Sequence, residues 1–430
     1  MIISGRAVLL ALLGAIPFAI APSPVTVLFW ALCVLVLCIV DAILAASPRR
    51  VGIRREVFSP VRLSQQTTST LTLTNLNSRT LRGLIRDAWQ PTMGAQPSRI
   101  SVKIPTQESR RTTTHLLPSR RGDIHAGGVT IRAMGPLGIA GRQATIAVDG
   151  KVRVLPEFRA RRHLPSKLAR LREMDGAASV QVRGQGTEFD SLREYVPGDD
   201  VRSIDWRATA RRAEVVVRTW RPERDRRVLI VVDSSRTSAA RVGDAPRLEA
   251  SLEAALLLGA LTARAGDRVG LLAVDREVRA QVPSALGTEV LSKFAEALTP
   301  IEPELVEADW PRVAELIQER LSQRALVVLL TALDPAAIES GLLPVIGRVA
   351  RDHQVVVASV GDPQLEEMRQ QRGDAEEVFL ASAAERIRLE RFNIGQQLAR
   401  IGVEVIEESP EDLAPKLADT YLALKAAGKL

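Results

Sequence analysis

Residues 227–237 read RVLIVVDSSRT, an unbroken apolar run from Val228 to Val232 that stops at Asp233 and the hydroxyl side chains of Ser234, Ser235 and Thr237. A strand that is apolar on both faces must be covered on both, which points to a mostly parallel sheet between layers of helix. The same texture recurs downstream. Apolar strands are predicted over residues 269–274, 325–330, 355–360 and 403–406, and helices over 246–265, 289–298, 310–321, 338–351, 384–401 and 411–426. That alternation predicts a doubly wound α/β domain over residues 227–430, with ligands at the carboxyl ends of its strands. Asp233 stands at such an end, with the hydroxyls of Ser235 and Thr237 at two-residue intervals. Oxygen-only ligands suit a hard cation, Mg2+ or another divalent ion. The same residues also read as a strand-end turn in which Asp and Ser cap backbone amides.

Working outward, 430 residues with 46% hydrophobic and 25% charged residues predict two to three domains of ordinary globular make-up, so disorder is not the default. The two cysteines, Cys33 and Cys38, lie inside an apolar run, where neither a disulfide framework nor a zinc site is built. His115, His125, His163 and His353 are scattered and assemble no imidazole site. A net charge of +8 and a pI near 10.0 fit nucleic acid, an anionic membrane surface or an acidic partner equally well.

At the amino end, residues 7–21 and 25–46 are apolar stretches joined by Pro22-Ser23-Pro24. They predict a transmembrane helical hairpin over residues 1–47, with a secretory signal as the competing reading of the first stretch. Arg6 and the group Arg49, Arg50, Arg54 and Arg55 flank an uncharged tip, which puts both ends in the cytoplasm of a multi-pass membrane protein. Asp41 is expected near headgroup depth at the cytoplasmic end. Residues 48–158 alternate with period two between frequent turns and predict a β-rich, sandwich-like domain. Residues 159–226 read as a linker helix, with Leu164, Leu168 and Leu171 at helical spacing, followed by a charged segment. Within that segment Gly184-Gln185-Gly186 lacks the further glycine and the Gly-Lys-Ser/Thr of a phosphate loop.

The segment running from Arg183 to Trp220, RGQGTEFDSLREYVPGDDVRSIDWRATARRAEVVVRTW, holds Glu194, Tyr195, Gly198, Asp199, Asp200, Arg202, Asp205, Trp206 and Arg211. In these residues the chain resembles the domain-of-unknown-function family fifty-eight. The resemblance implies two amino-terminal spans, a β-rich region and a carboxyl-terminal von Willebrand factor A-like domain. Where such proteins commonly read Asp-Pro-Phe-Gly-Leu, this chain has Met134-Gly135-Pro136-Leu137-Gly138. Read by their chemistry alone, the acids and arginines of the segment predict a buried ionic network that docks it on the next domain.

The resemblance further implies a metal-ion-dependent adhesion site beginning at Asp233, Ser235 and Thr237, with Thr288 and Asp334 as further ligands. Relatives place an aspartate directly after the Thr or Ser that ends a later strand. Here Thr331 is followed by Ala332, which leaves Asp334 as the substitute and Asp275 as another candidate acid. The implied partner is a MoxR-type AAA+ ATPase, besides the bilayer and other membrane or envelope proteins. The reading is a membrane-anchored adaptor and not an enzyme. A metal-dependent hydrolase would need a general base and a second acid near the cation, and neither is evident. Nucleic-acid binding is disfavoured because Arg207 to Arg227 is interleaved with Glu214, Glu223 and Asp225 and carries no recognition motif.

Overall fold

The apolar amino-terminal residues become three helices in the computed structural model, which describes residues 1–181, 188–197, 199–212, 214–221 and 226–430. Contacts divide the chain into two units, Met1–Leu155 and Pro156–Leu430.

In the first unit a two-residue strand, β1 (Ile2–Ile3), precedes helices α1 (Gly5–Leu12) and α2 (Ala15–Ile20). Helix α3 (Pro24–Leu44) starts with Pro24 behind Ser23, whose hydroxyl accepts the Val25 N–H. Its 21 residues span about 32 Å, so by length and composition it can cross a bilayer. The broken stretch Gly5–Ile20 falls short of that length, so where two spans were expected the described residues hold one helix long and apolar enough to cross a membrane. Asp41 also departs from expectation. It is fully buried in the last turn of α3, and its carboxylate accepts the N–H groups of Leu137 (2.8 Å), Ile139 (2.9 Å) and Ala140 (2.9 Å). The turn that departs from the family pattern is thus the socket for this carboxylate. Gly135 makes room for it, since a Cβ there would lie 2.2 Å from Asp41 Oδ1.

The strands that follow are β2 (Val51–Val57), β3 (Val61–Arg62), β4 (Thr67–Asn75), β5 (Leu81–Asp87), β6 (Ile100–Ile104), β7 (Ser109–Leu116), β8 (Gly122–His125), β9 (Val129–Met134), β10 (Ala140–Ile146) and β11 (Lys151–Leu155). They form sheets β1-β10-β9-β5-β6, β2-β4-β7 and β3-β11-β8. Every second residue of β4 is buried, the period-two pattern its sequence carries. Leu71 and Leu73 of β4 share one core with Leu81, Ile85, Val102, Ile104 and Ile131 of the first sheet. Beside it Arg55 and Asp87 make a buried ion pair of 2.6 Å, and Ser69 and Trp89 donate to the second Asp87 oxygen.

The second unit begins with α4 (Leu164–Gln181), the predicted linker helix. Leu171 is buried, and Lys167 and Arg170 pair with Asp419, so this helix packs within the α/β unit. Next come β12 (Glu188–Glu194), α5 (Trp206–Arg212) and β13 (Val216–Arg221), with β12 and β13 paired as an antiparallel ribbon. The α/β part runs β14 (Arg227–Asp233), β15 (Arg241–Val242), β16 (Ala245–Pro246), α6 (Arg247–Arg264), β17 (Arg268–Val274), β18 (Val278–Ala285), α7 (Glu289–Leu298), α8 (Trp310–Arg320), β19 (Leu326–Leu330), α9 (Pro335–Ala337), α10 (Leu343–Asp352), β20 (Gln354–Val360), α11 (Pro363–Gln370), α12 (Ala375–Arg400), β21 (Val403–Glu408) and α13 (Leu413–Ala426).

The main sheet has the order β18-β17-β14-β19-β20-β21, parallel throughout except for β18. Leu229 and Val231 point into a core closed by Trp310 and Ile317 of α8, Ile346 and Val349 of α10 and Leu398 of α12. Side chains of opposite parity, such as Ile230 and Val232, face the other side, where α6 packs. The chain leaves β14 for β17 on one side and returns to β19 on the other. The carboxyl ends of β14 and β19 therefore flank the topological switch point, where such sheets bind ligands.

Candidate functional site

The site grows from the end of β14. Because β14 lies between β17 and β19, Asp233 is held over the sheet edge and is almost wholly buried. Its Oδ1 accepts the N–H of Ser235 at 2.8 Å, and its Oδ2 accepts the hydroxyls of Thr237 at 3.0 Å and Thr331 at 2.6 Å. The Ser235 and Thr237 hydroxyl oxygens lie 3.3 Å apart, and Ser238 donates to the Asp233 carbonyl. Burial pushes the Asp233 carboxyl up, against the lowering pull of hydrogen bonds from Thr331, Ser235 and Thr237. One carboxylate and three hydroxyls thus converge at the switch point, with Thr331 brought in from β19, 98 residues away in sequence.

The other expected ligands lie elsewhere. Strand β18 pairs antiparallel with β17 and ends with Ala285 opposite Val269, so the chain reaches Thr288 at the amino-terminal edge of the sheet. Thr288 is exposed there, at the start of α7, and makes no side-chain cap; the unpredicted strand β18 is what carries it away from Asp233. Asp334 caps α9 by accepting the Ala337 N–H, and Ala332 is buried without an acid. Asp275 ends beside the site, but Arg279 (2.6 Å) and the Glu277 N–H (2.9 Å) already satisfy it. The donor set fits Mg2+ in kind, being all hard oxygen, and falls short in charge. Among the described residues no group of three His, Cys, Asp or Glu could hold a metal.

The signature segment forms its ionic contacts at the surface, not in the interior. Asp199 accepts Arg193 at 2.5 Å and the Val196 N–H at 3.0 Å, and Asp200 accepts the Arg202 N–H. Asp205 caps α5 through the N–H groups of Arg207 and Ala208 and pairs with Arg218 at 2.8 Å. The Ala208 amide first, then Arg218, hold its carboxyl below the usual range. Trp206 is 67% exposed, Glu194, Arg202 and Arg211 are exposed, and Tyr195 is half-buried. The expected buried network is thus corrected: these ion pairs lie at the surface, and Trp206, the first residue of α5, is exposed beside them. Gly198 and residues 183–187 lie outside the described residues.

Residues 191–393 match the family described as "Protein of unknown function DUF58", the family expected from the signature segment. The chain is 26% identical over 185 residues to an uncharacterized protein, Rv1480, of Mycobacterium tuberculosis (strain ATCC 25618 / H37Rv), covering 43% of this chain and 57% of that protein. It is 23% identical over 113 residues to the uncharacterized protein YeaD of Bacillus subtilis (strain 168), covering 26% and 28%. The alignments thus span 57% or less of these curated relatives. Among solved structures it is similar to a conserved hypothetical protein, BatB, of Bacteroides thetaiotaomicron, at 19% identity and a TM-score of 0.33 over 47% of this chain and 99% of that one. It is similar too to the SpRpn10 VWA domain, at 14% identity and a TM-score of 0.28 over 45% and 94%.

Proposed function

We propose that this chain, which matches DUF58 over residues 191–393, is a membrane-anchored adaptor. Its amino-terminal helices hold it in the bilayer as a hairpin, its β-rich part is a sandwich, and its α/β part is von Willebrand factor A-like and binds a partner protein at the switch point. The observation that carries this reading is the convergence of Asp233, Ser235, Thr237 and Thr331 at the carboxyl ends of β14 and β19. With Mg2+ present the oxygens of Asp233, Ser235 and Thr237 would be its ligands, and Thr331 would orient the carboxylate. One carboxylate leaves the ion net positive, which favours an acidic side chain of the partner in the remaining position. A MoxR-type ATPase is the partner class to test first. A cation-free variant of this reading is favoured by the saturated hydrogen bonding of Asp233, which needs no ion to be satisfied.

Calorimetry of the full chain in detergent with Mg2+ and Mn2+ tests the cation, and capture of a MoxR-type ATPase with and without chelator tests the partner. Asp233→Ala should abolish cation binding while the fold survives. Thr331→Val, which removes a hydroxyl that orients Asp233, should weaken binding roughly 10- to 100-fold. Ala332→Asp should strengthen it by adding the missing acid. Capture that survives chelation but falls in Asp233→Ala would remove the cation and keep the site. Capture unchanged in both would remove the site.

A further inference from the structure

Helices α1 and α2 lie beside α3 without filling the space between them. Trp30 of α3 donates its indole N–H to the Leu10 carbonyl at 3.2 Å, close to the break between α1 and α2. A Cβ on Gly14 would overlap that indole, so the bare glycine lets the two arms meet there. Beside this contact runs a groove of about 600 Å³, lined by Ile3, Ala7, Ala11, Phe18, Val34 and Cys38 among others. Among the described residues no charged side chain lines it. From Ile3 to Phe18 it follows about 22 Å of chain at the helical rise, more than the roughly 15 Å of hydrocarbon in one leaflet. Its other end meets the foot of α3, where Ala7 and Cys38 pack on Ile139 and Ala140. Arg6, the neighbour of Ala7, reaches the same turn and lies against Gly138. Arg142 donates its Nε to the Ala42 carbonyl at 2.9 Å, and Arg79 an Nη to the Ile43 carbonyl at 3.1 Å. The one carboxylate at this place, Asp41, is already taken by three backbone N–H groups. Among the described residues no acid pairs with Arg6, Arg79 or Arg142, and exposed Arg6 makes no hydrogen bond at all.

We propose that this groove binds an anionic glycerophospholipid, one acyl chain lying along its apolar wall and the headgroup phosphate seated on Arg6, with Arg79 and Arg142 adding positive potential. The inference rests on the hairpin anchoring proposed above, which places the foot of α3 at the depth of the cytosolic headgroups. That leaflet carries the anionic lipids, and a basic pocket at the cytosolic end of an apolar groove between membrane helices is the form in which such headgroups are held. A phosphate supplies the acceptors that Arg6 lacks, through charge-assisted hydrogen bonds. A zwitterionic headgroup offers the same phosphate but brings its own cation among the arginines. The seat is also prepared in advance: Ser4, two residues before Arg6, donates its hydroxyl to the Gly138 carbonyl at 2.7 Å and pins the start of α1.

The test titrates the full chain in detergent micelles with phosphatidylglycerol and with phosphatidylcholine of identical acyl chains, binding being read by native mass spectrometry. Phosphatidylglycerol should bind roughly tenfold more tightly, and Arg6→Gln should weaken it roughly fivefold while leaving phosphatidylcholine unchanged. Arg6→Lys should keep most of the preference. Arg54→Gln, which breaks an exposed pair with Glu56, should leave both lipids as they were. Ala11→Phe, which fills the groove, should weaken both lipids, with a melting temperature near the parent's to show that the variant folds. Equal binding of the two lipids, a preference untouched by Arg6→Gln, or parent-like binding in Ala11→Phe would each overturn the proposal. Release of the parent from membranes by carbonate would overturn the anchor and this site together, whereas equal lipid binding by a chain that stays in the membrane overturns the site alone.

Discussion

At the level of single residues, Asp233 receives Ser235 and Thr237 from its own loop and Thr331 from the end of the neighbouring strand β19. Asp233, Ser235 and Thr237 were legible because they are contiguous and follow an apolar strand. Thr331 was legible only as a strand end, since its place beside Asp233 depends on β19 lying next to β14. The acids and arginines around Asp205 read as a buried network because opposite charges alternate there, whereas Asp205 caps α5 at the surface and Trp206 beside it is exposed. Glu253 on α6 shows a similar tension: it accepts the Ala160 N–H, and burial first of all pushes its carboxyl up, with that hydrogen bond and Arg159 opposing and Glu157 adding to the rise. A raised acid binds more protons folded than unfolded, so its contribution to stability falls as pH rises through the window above the unfolded value. Glu253→Gln keeps an acceptor for Ala160 and buries no charge. It should therefore raise the melting temperature at pH 7, with the gain vanishing below about pH 4, where the unfolded glutamate is protonated too. Equal gains at both pH values in calorimetric melts would show that the charge is not the cause.

At the level of elements, long buried strands and period-two strands were readable, and edges and hairpins were not. Strand β18, VRAQVPSA, contains Pro283 and exposed polar residues, as an antiparallel edge strand tolerates, and so lacks the apolar run that announces its neighbours. Helix α12 was expected from residue 384 because its first turns bury only Ala381, and core periodicity starts later. The joint between α3 and the β-rich part was unreadable for a different reason. Its acceptor and donors are separated by 96 to 99 residues. Asp41→Ala should leave three N–H groups without an acceptor, at about 1–3 kcal/mol each. Hydrogen exchange of the full chain in detergent should then accelerate at Leu137, Ile139 and Ala140 while β4 stays protected. Uniform acceleration would mean that Asp41 supports the whole β-rich unit, and no change would mean that water replaces it.

At the level of the whole molecule, the amino-terminal unit constrains how the chain meets a membrane. Ile2 and Ile3 pair with Gly141 and Ala140, Ser4 donates to the carbonyl of Gly138, and Asp41 at the far end of the helical excursion binds the same turn. Both ends of the excursion are therefore fixed at one place. If α3 crosses the bilayer, the stretch Gly5–Ile20 must return across it, although its 16 residues, about 24 Å, fall short of a hydrocarbon core of about 30 Å. The break at Leu13 and Gly14 and local thinning of the bilayer would absorb the difference. The expected outcome is that reporters fused at the amino end and after Leu430 both report the cytosol, as Arg6, Arg49 and Arg50 at the flanks also require. If apolar burial and not the net charge of +8 anchors the chain, it should stay in the membrane through carbonate and high-salt washes. Reporters on opposite sides would mean that α3 crosses alone and the clamp at Gly138 to Gly141 opens on insertion. Release by salt would mean that the positive charge is the anchor and α3 lies along the surface.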